Sequence, residues 1–408
     1  MATARRTRGR KKGSRQLGLA LAGGGPGGAV YEIGALRALE EAVEGLDFTQ
    51  CHVYVGVSAG AFIAAALANG VTPTRLVRTL VTDELGDHPF DPAGFVLPAY
   101  REWARRAARF PLLVATAAAK VARRPDEQTL VESIAGLSRA LPLGIFDNEP
   151  IRRYLEVAFS RDGRTDDFRT LRHRLFVVSA DLESGQPIVF GSEGWDHVPI
   201  SRAVQASTAL PGLYPPVQIE GHLCTDGVLL KTVHASVALE HGADLLLCIN
   251  PLVPVDVASG QRRGALEPGS ILRQGLPALL SQTFRTLIHS RMVVGMARYR
   301  AHFPDADVVL FEPDRDEYGL FFSNIFSFRS RREVCEIGYR ATRRDLLRRQ
   351  GRLQAVLRRH GCRLRLDVLR DPDRDLWQGV GLARRGARRP RLVEQLSGAL
   401  AELEGALA

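Results

Sequence analysis

Cysteine is scarce in this chain of 408 residues, and its five cysteines show no CxxC spacing. An odd and dispersed set of cysteines excludes a small domain held together by disulfide bonds. Hydrophobic residues make up 45% of the sequence and charged residues 25%, which excludes a wholly disordered chain. We therefore expect a folded protein with reduced thiols in a cytoplasmic location.

Long apolar runs are also missing from the sequence. No apolar stretch approaches the roughly 18–20 residues that a membrane-spanning helix needs. The run from Leu17 to Ala22 follows basic residues but is shorter than the roughly 7–15 apolar residues of a secretory signal. The expectation is a protein that is soluble or bound peripherally to a membrane.

Lysine is nearly absent: the chain has four lysines against 51 arginines, and its formal net charge is +10. Seven positive charges and no acid precede residue 17. We predict that residues 1–16 are a basic disordered tail. An excess of positive charge favours contact with anionic surfaces, either phospholipid headgroups or nucleic acid.

The N-terminal part of the sequence alternates between apolar runs and amphipathic segments. Leu17 to Ala22 has the pattern of a buried strand, followed by a glycine-rich loop over 23–28 and a helix that we expect to end at Gly45. A second strand over 52–57 and an alanine-rich helix over 59–68 repeat the arrangement. This repetition predicts a parallel α/β sheet.

Further along, residues 84–145 break this alternation with prolines and helical patterns, and we interpret them as a helical cap insertion. Residues 326–408 are rich in arginine and are predicted to form a helical C-terminal extension. Between these two segments, further elements are predicted as strands over 175–180, 188–190, 223–224, 243–249 and 307–311, and as helices beginning at Ile200 and spanning 270–300.

The sharpest chemical signal is the GxSxG motif formed by residues 56–60, Gly-Val-Ser-Ala-Gly. A serine between a strand and a helix lies on a tight turn, and the glycines at Gly56 and Gly60 allow neighbouring backbone to approach. The positive end of the following helix favours the alkoxide form of the serine. We predict Ser58 as a nucleophile.

A second signal is the glycine-rich loop, which contains Gly23, Gly24, Gly25, Gly27 and Gly28. Backbone N–H groups of such a loop converge ahead of a helix and bind an anion. The loop lacks the ending of a P-loop, but it fits the GxGxxG dinucleotide pattern, and Asp47 lies near the distance of the expected ribose-binding acid. An oxyanion hole beside the serine is the interpretation we prefer.

The serine also needs a base, and the dipeptide Asp226-Gly227 follows a short predicted strand. A partly desolvated carboxylate can deprotonate a serine directly, whereas Asp-Gly is also a common turn dipeptide. The rival is a serine–acid–histidine triad that uses His234, His241 or His289. None of these histidines lies in a recognisable motif.

Taken in order along the chain, these motifs resemble the patatin-like phospholipases. The glycine-rich loop, the GxSxG motif and Asp226-Gly227 are similar to the family's oxyanion loop, nucleophile elbow and catalytic Asp-Gly. Residues 206–212, Ala-Ser-Thr-Ala-Leu-Pro-Gly, and residues 180–185, Ala-Asp-Leu-Glu-Ser-Gly, resemble further family segments. The resemblance spans about residues 17–250.

The resemblance implies an acyl hydrolase domain over 17–325 with a three-layer αβα fold and a mainly parallel central sheet. It implies hydrolysis of lipid esters by a Ser58–Asp226 dyad without histidine. The sequence departs from the family at Gly27, where arginine or lysine is usual, and at Val228, where glycine or alanine is usual. A third departure is Lys231-Thr232-Val233 in place of Asn-x-Pro.

No metal or cofactor is expected from the sequence. Residues 371–375 begin like a calcium-binding loop, but Leu376 occupies the obligatory glycine position and Leu382 that of the bidentate glutamate. The partner that the family resemblance implies is a lipid or lipid-like ester.

The alternative function is a catalytically weak adapter that binds membrane or nucleic acid through the basic tail and the C-terminal helices. Arginine clusters at 343–349, 358–365 and 384–391 suggest either a solvated basic face or contact with anionic lipid. They lack the interleaved aromatic residues of a base-stacking surface, so we do not expect nucleic acid.

Overall fold

The computed structural model describes residues 16–82, 92–124, 126, 132–133, 135–161, 163–322 and 328–382. Almost all of the predicted basic tail, the arginine cluster at 384–391 and the remainder of the predicted C-terminal extension beyond residue 382 lie outside the described residues. The cap insertion and the division of the chain at residue 326 stay predictions.

Ten strands are found in the described residues. They are β1 (Leu17–Leu21), β2 (Val43–Glu44), β3 (Val53–Val57), β4 (Arg174–Asp181), β5 (Pro187–Phe190), β6 (Val217–Ile219), β7 (His222–Asp226), β8 (Leu245–Ile249), β9 (Asp307–Phe311) and β10 (Arg363–Leu364).

The α-helices of the described residues fall into two groups along the chain. The first eight are α1 (Gly25–Ala42), α2 (Ala59–Ala68), α3 (Pro73–Leu76), α4 (Tyr100–Ala107), α5 (Phe110–Arg123), α6 (Glu149–Phe159), α7 (Ile200–Ser207) and α8 (Ala235–Glu240). The others are α9 (Val257–Arg262), α10 (Ser270–Arg273), α11 (Gly275–His302), α12 (Tyr318–Phe322), α13 (Phe328–Arg348), α14 (Gln350–Arg359), α15 (Leu366–Arg370) and α16 (Leu376–Gly379).

Eight of the strands form one mixed sheet in the order β6-β7-β4-β3-β1-β8-β9, with β5 also paired to β4. The five strands from β4 to β9 are parallel, whereas β5, β6 and β7 add antiparallel pairs at one side. Strands β1, β3 and β8 are buried along their whole length, as expected when helices cover both faces of a parallel sheet. The predicted α/β class with a mainly parallel central sheet is confirmed.

The sequence-based element boundaries need small corrections at two glycine positions. Helix α1 begins at Gly25, within the segment expected to be a loop, because Pro26 has the fixed φ that suits a first helical turn. It ends at Ala42 rather than at Gly45, because Val43 and Glu44 pair with Arg363 and Leu364 as a short strand. The connection between β1 and α1 is therefore shorter than the glycine-rich loop predicted over 23–28.

Helix α13 packs closely along α1 at two glycines. A Cβ built on Gly34 would lie 2.0 Å from the carbonyl oxygen of Cys335, and one built on Gly338 would lie 2.2 Å from the carbonyl oxygen of Tyr31. One hydrophobic core cluster contains residues of β1, α1, α13 and α16. The C-terminal helices up to residue 382 thus bury the helix that follows the glycine loop.

All five cysteines are buried. Among the described helices, none combines the length and the apolar character that crossing a bilayer requires.

Candidate active site

Ser58 lies on the turn between β3 and α2 in a conformation that L-residues rarely adopt, with φ 54° and ψ −125°. Helix α2 begins at the next residue, so the partial positive charge of its N-terminus lies beside the Ser58 side chain. The turn is tight enough to require its two flanking glycines. A Cβ on Gly56 would lie 2.4 Å from Cα of Ala61, and a Cβ on Gly60 would lie 2.4 Å from the carbonyl oxygen of Ala22.

The strained turn is held from α7 by a residue that received no role from the sequence. The backbone N–H of Ser58 donates a 2.8 Å hydrogen bond to Oγ of Ser207, and the Ser207 hydroxyl donates to the carbonyl of Val178 at 2.6 Å. Ser207 is fully buried, so its hydroxyl satisfies a backbone donor that has no access to water. The sequence signal that could have pointed to Ser207 is the segment Ala206–Gly212, because it resembles a family motif.

The glycine-rich connection lies against the serine. A Cβ built on Gly23 would be 3.1 Å from Cβ of Ser58, so Ser58 lies beside Gly23, two residues before the start of α1. The N–H of Gly28 donates to the carbonyl of Gly24 at 3.0 Å, and Pro26 has no N–H. Gly25 and Gly27 belong to the first turn of α1, where N–H groups have no acceptor within the helix. This end of α1 can therefore receive an anion close to Ser58.

The register of strands β3, β4 and β7 brings Asp226 close to Ser58. Val57 pairs with Val178 in β4, and the next residue of β4, Ser179, pairs with Asp226 in β7. Ser58 and Asp226 therefore flank Ser179, one strand away on each side, which spans about 10 Å of backbone. Their side chains bridge that distance, because the Ser58 hydroxyl is close enough to the Asp226 carboxylate to lower its pKa.

Burial controls the protonation of this carboxylate. Asp226 is only 2% exposed, and burial raises its pKa to about 7. Hydrogen bonds from the Ser58 side chain and from the N–H of Val228, the latter 2.9 Å long, favour the charged form and lower the pKa against that effect. The balance leaves a carboxyl group that can accept and return a proton near neutral pH.

The three histidines considered as triad members have other partners. His234 is buried with Nε2 3.1 Å from the carbonyl oxygen of Gly227, and burial lowers its pKa to about 4. His241 contacts the carbonyl of Val237 in its own helix, and His289 lies 3.8 Å from Glu312. In the described part of the chain, none of the three is hydrogen-bonded to Ser58. A neutral His234 instead supports the backbone directly after Asp226.

Val228, one of the departures from the family pattern, lies next to the serine. Its Cγ2 would be 3.4 Å from a Cβ built on Gly23, whose own Cβ position is in contact with Ser58. A glycine at residue 228 would leave this space open. Val228 therefore reduces the free space beside the Ser58 side chain.

Most of the described arginines in the clusters at 343–349 and 358–365 bind acids or backbone carbonyls. Arg343 is buried and donates to the hydroxyl of Tyr339 and to carbonyl oxygens of residues 368, 369 and 371. Ion pairs join Arg344 to Glu317, Arg348 to Asp314, Arg349 to Asp345, Arg359 to Asp307 and Arg363 to Glu44. These arginines mainly hold the C-terminal helices in place.

Among the described residues, no group of three or more His, Cys, Asp or Glu side chains is arranged to hold a metal ion.

Comparison with known proteins identifies the family. Residues 19–239, more than half of the chain, match the family model described as patatin-like phospholipase. The chain belongs to the patatin-like phospholipase family. The matched region of this patatin-like protein runs from β1 into α8 and includes Ser58, Asp226 and the glycine loop.

Two curated relatives of this patatin-like protein are mycobacterial. An uncharacterized NTE family protein of Mycobacterium tuberculosis is 28% identical over 246 residues, which are 59% of this chain and 31% of the relative. An uncharacterized NTE family protein of Mycobacterium bovis is 26% identical over 246 residues, with the same coverage. The chain thus spans about a third of the length of the curated relatives it matches.

Solved structures similar to the patatin-like protein include two bacterial proteins. VipD from Legionella pneumophila has a TM-score of 0.36 and 15% identity, over 80% of this chain and 66% of VipD. The type III effector ExoU of Pseudomonas aeruginosa has a TM-score of 0.34 and 13% identity, over 81% of this chain and 52% of ExoU.

Proposed function

We propose that this protein is a serine acyl hydrolase that cleaves carboxylic esters of lipids or phospholipids, with Ser58 as the nucleophile and Asp226 as its base. The observation that carries the proposal is the pair itself. A serine in a strained conformation at a helix N-terminus lies beside a buried carboxylate whose pKa is raised to about 7. Family membership supports the reaction class.

The chemistry proceeds in two halves. Ser58 Oγ attacks the ester carbonyl carbon while Asp226 takes the hydroxyl proton, which yields a tetrahedral intermediate with a negatively charged oxygen. The intermediate collapses, the alcohol leaves with the proton from Asp226, and an acyl-serine remains. Water then attacks the acyl-serine with Asp226 again as base, which releases the fatty acid and restores the serine.

The negative oxygen of the intermediate needs hydrogen-bond donors next to Ser58. We assign this role to backbone N–H groups of Gly24, Gly25 and Gly27 at the start of α1, because the Gly28 N–H already donates to Gly24. The 18 residues of α1 add a partial positive charge at the same end. Losing one such donor costs typically about 10²–10³ in kcat.

Little of the Ser58–Asp226 pair is exposed to solvent. Ser58 is only 6% exposed and Asp226 is buried, so the surrounding segments limit how a lipid ester can approach Ser58. Phe95 packs against Phe62 of α2, and its carbonyl accepts a hydrogen bond from Tyr214. The segment around Phe95, within the predicted cap over 84–145, is thus joined to the helix that follows the nucleophile.

The adapter alternative gains little support, because the described C-terminal arginines are mostly engaged within the protein. Hydrolysis of a panel of acyl esters by wild type, Ser58→Ala and Asp226→Asn tests the proposal, with the exposed Ser160→Ala as a matched control. We expect both dyad variants to lose at least about 10³-fold in kcat/KM and the control to retain full activity. Hydrolysis that survives Ser58→Ala would refute the proposal.

A further inference from the structure

Helices α4 and α5 expose several large apolar side chains, as α11 also does. None of the residues of these two helices is buried. Tyr100 and Leu112 are each 67% exposed, and Phe110 and Val114 are exposed on the same pair of helices. Soluble proteins rarely leave such clusters open unless the clusters bind something.

Two neighbouring loops extend this apolar surface. Leu141, Leu143 and Ile145 are exposed on the segment that leads to α6, and Leu213 is exposed after α7. The segment is attached to α4, because Trp103 donates to the carbonyl of Gly144 at 3.2 Å. Together, α4, α5 and the loop residues 141–145 and 212–213 are called the docking face below.

Backbone hydrogen bonds connect the docking face to the dyad. The N–H of Ile145 donates to the carbonyl of Gly212, and the N–H of Leu213 donates to that of Leu210. The preceding residue, Ala209, accepts hydrogen bonds from the N–H of Asp226 and the hydroxyl of Thr225. Ser207, two residues earlier, holds Ser58. A ligand bound at the docking face is therefore next to the loop that supports both catalytic side chains.

The docking face is predominantly positively charged. Between residues 100 and 124 there are seven arginine or lysine side chains and a single acid, Glu102. Glu102 pairs with Arg105 and Arg106, whereas no acid among the described residues pairs with Arg101 or Arg109. The C-terminal clusters, by contrast, are largely neutralised by ion pairs within the protein.

We propose that the docking face binds the surface of an anionic phospholipid bilayer and brings the ester bond of a membrane lipid to Ser58. This inference rests on the proposed function for its purpose, but binding itself requires no turnover. Apolar side chains beside arginines match a bilayer interface, where acyl chains lie next to negative headgroups. Helix α5 has 14 residues, about 21 Å of helix, so it is too short to span the bilayer and lies in the interface.

A second copy of the chain is the competing occupant, and the charge disfavours it. Two copies of the segment 100–124 brought together would place seven positive side chains opposite seven others with one acid on each side. Like charges across an interface oppose association. An anionic bilayer supplies the missing negative charge.

The test measures binding of the Ser58→Ala protein to vesicles by co-sedimentation, so that no substrate is consumed. We expect tight binding to phosphatidylcholine vesicles containing phosphatidylserine, and weak binding to phosphatidylcholine alone or at high salt. The pairs Arg101→Glu with Arg109→Glu, and Leu112→Gln with Val114→Gln, are each expected to weaken binding at least about tenfold.

Matched controls alter other exposed surfaces in the same way. Arg352→Glu with Arg358→Glu makes the same change of charge on the exposed side of α14, and Leu182→Gln makes the same kind of polarity change after β4. Both controls should bind like the parent. Equal loss in the controls, equal binding to neutral vesicles, or a wild-type dimer that Arg101→Glu with Arg109→Glu dissociates would overturn the proposal.

The two proposals fail in different ways. Vesicle binding by a protein that hydrolyses no ester would refute the proposed function and leave the docking face standing. If the wild-type protein hydrolyses dispersed short-chain esters but does not bind anionic vesicles, the docking face is refuted and the proposed function stands.

Discussion

The backbone N–H of Ser58 donates a 2.8 Å hydrogen bond to Oγ of Ser207, and this contact holds the strained turn after β3 against helix α7. The Ser207 hydroxyl itself donates a 2.6 Å hydrogen bond to the carbonyl of Val178 in β4. Because Asp226 also pairs with β4, one strand and one helix set the positions of both Ser58 and Asp226. The chemistry proposed for this site depends on that shared support.

Substituting Ser207→Ala should impair catalysis without removing a group that reacts. The change leaves the N–H of Ser58 buried without an acceptor, which costs about 1–3 kcal/mol of stability. The turn is then free to shift, and we expect kcat to fall about 10–100-fold with an unchanged pH profile. Thermal unfolding and steady-state kinetics measure the two effects. The exposed Ser160→Ala serves as the control, and an unchanged kcat in Ser207→Ala would contradict the positioning role.

The pH dependence of hydrolysis should report the ionisation of Asp226. Burial raises the pKa of Asp226 to about 7, and only the deprotonated carboxylate can accept the Ser58 proton. We therefore expect kcat/KM to rise with pH through about 7 and to level off above it. A profile already flat from pH 5 upwards would show that the base has an ordinary carboxyl pKa, contrary to this site.

The same raised pKa predicts that Asp226→Asn stabilises the fold while it removes activity. The pKa of Asp226 is raised by burial, so the native state holds this proton more tightly than the unfolded chain does. Ionising Asp226 therefore costs stability as pH rises from about 4 to about 7. The gain from Asp226→Asn should be larger at pH 8 than at pH 5, by on the order of 2–3 kcal/mol. Denaturant unfolding at both pH values measures it, and a smaller gain at pH 8 than at pH 5 would contradict the assignment.

The close packing of α13 on α1 predicts strong effects of small substitutions. Gly34→Ala places a methyl group where the carbonyl oxygen of Cys335 lies 2.0 Å away, so the two helices must separate. We expect a loss of about 2–4 kcal/mol of unfolding free energy. Gly351→Ala on α14, where a Cβ meets nothing within 4 Å, should instead be neutral or slightly stabilising. Equal stability of the two variants would show that the helices do not pack in this way.

Local motifs were predictable from the sequence because their structure is set by neighbouring residues. The helix over 59–68 and the strand over 307–311 have the predicted bounds, since each is a short apolar run with clear ends. The start of α1 was placed too late, because a Gly-Pro-Gly-Gly segment has the composition of a loop, yet Pro26 is well suited to a first helical turn.

Contacts between distant segments could not be read from the sequence. The proximity of Asp226 to Ser58 depends on β3, β4 and β7 lying side by side, and β7 joins the sheet in antiparallel orientation. From sequence spacing alone, the proposed base for Ser58 could be either Asp226 or one of three histidines. The contact of Ser207 with Ser58 depends on how α7 packs against the turn after β3. The structural role of the arginines at 343–349 is likewise visible only in the folded chain, which places their acidic partners beside them.

Reaction with a fluorophosphonate tests the central claim most directly, since the reagent modifies only a serine that is activated as a nucleophile. Intact mass and peptide mapping of the labelled protein should show one adduct, on Ser58, that is absent in Ser58→Ala and much slower to form in Asp226→Asn. An adduct on a different serine, or ester hydrolysis by a protein whose Ser58 stays unlabelled, would contradict the account.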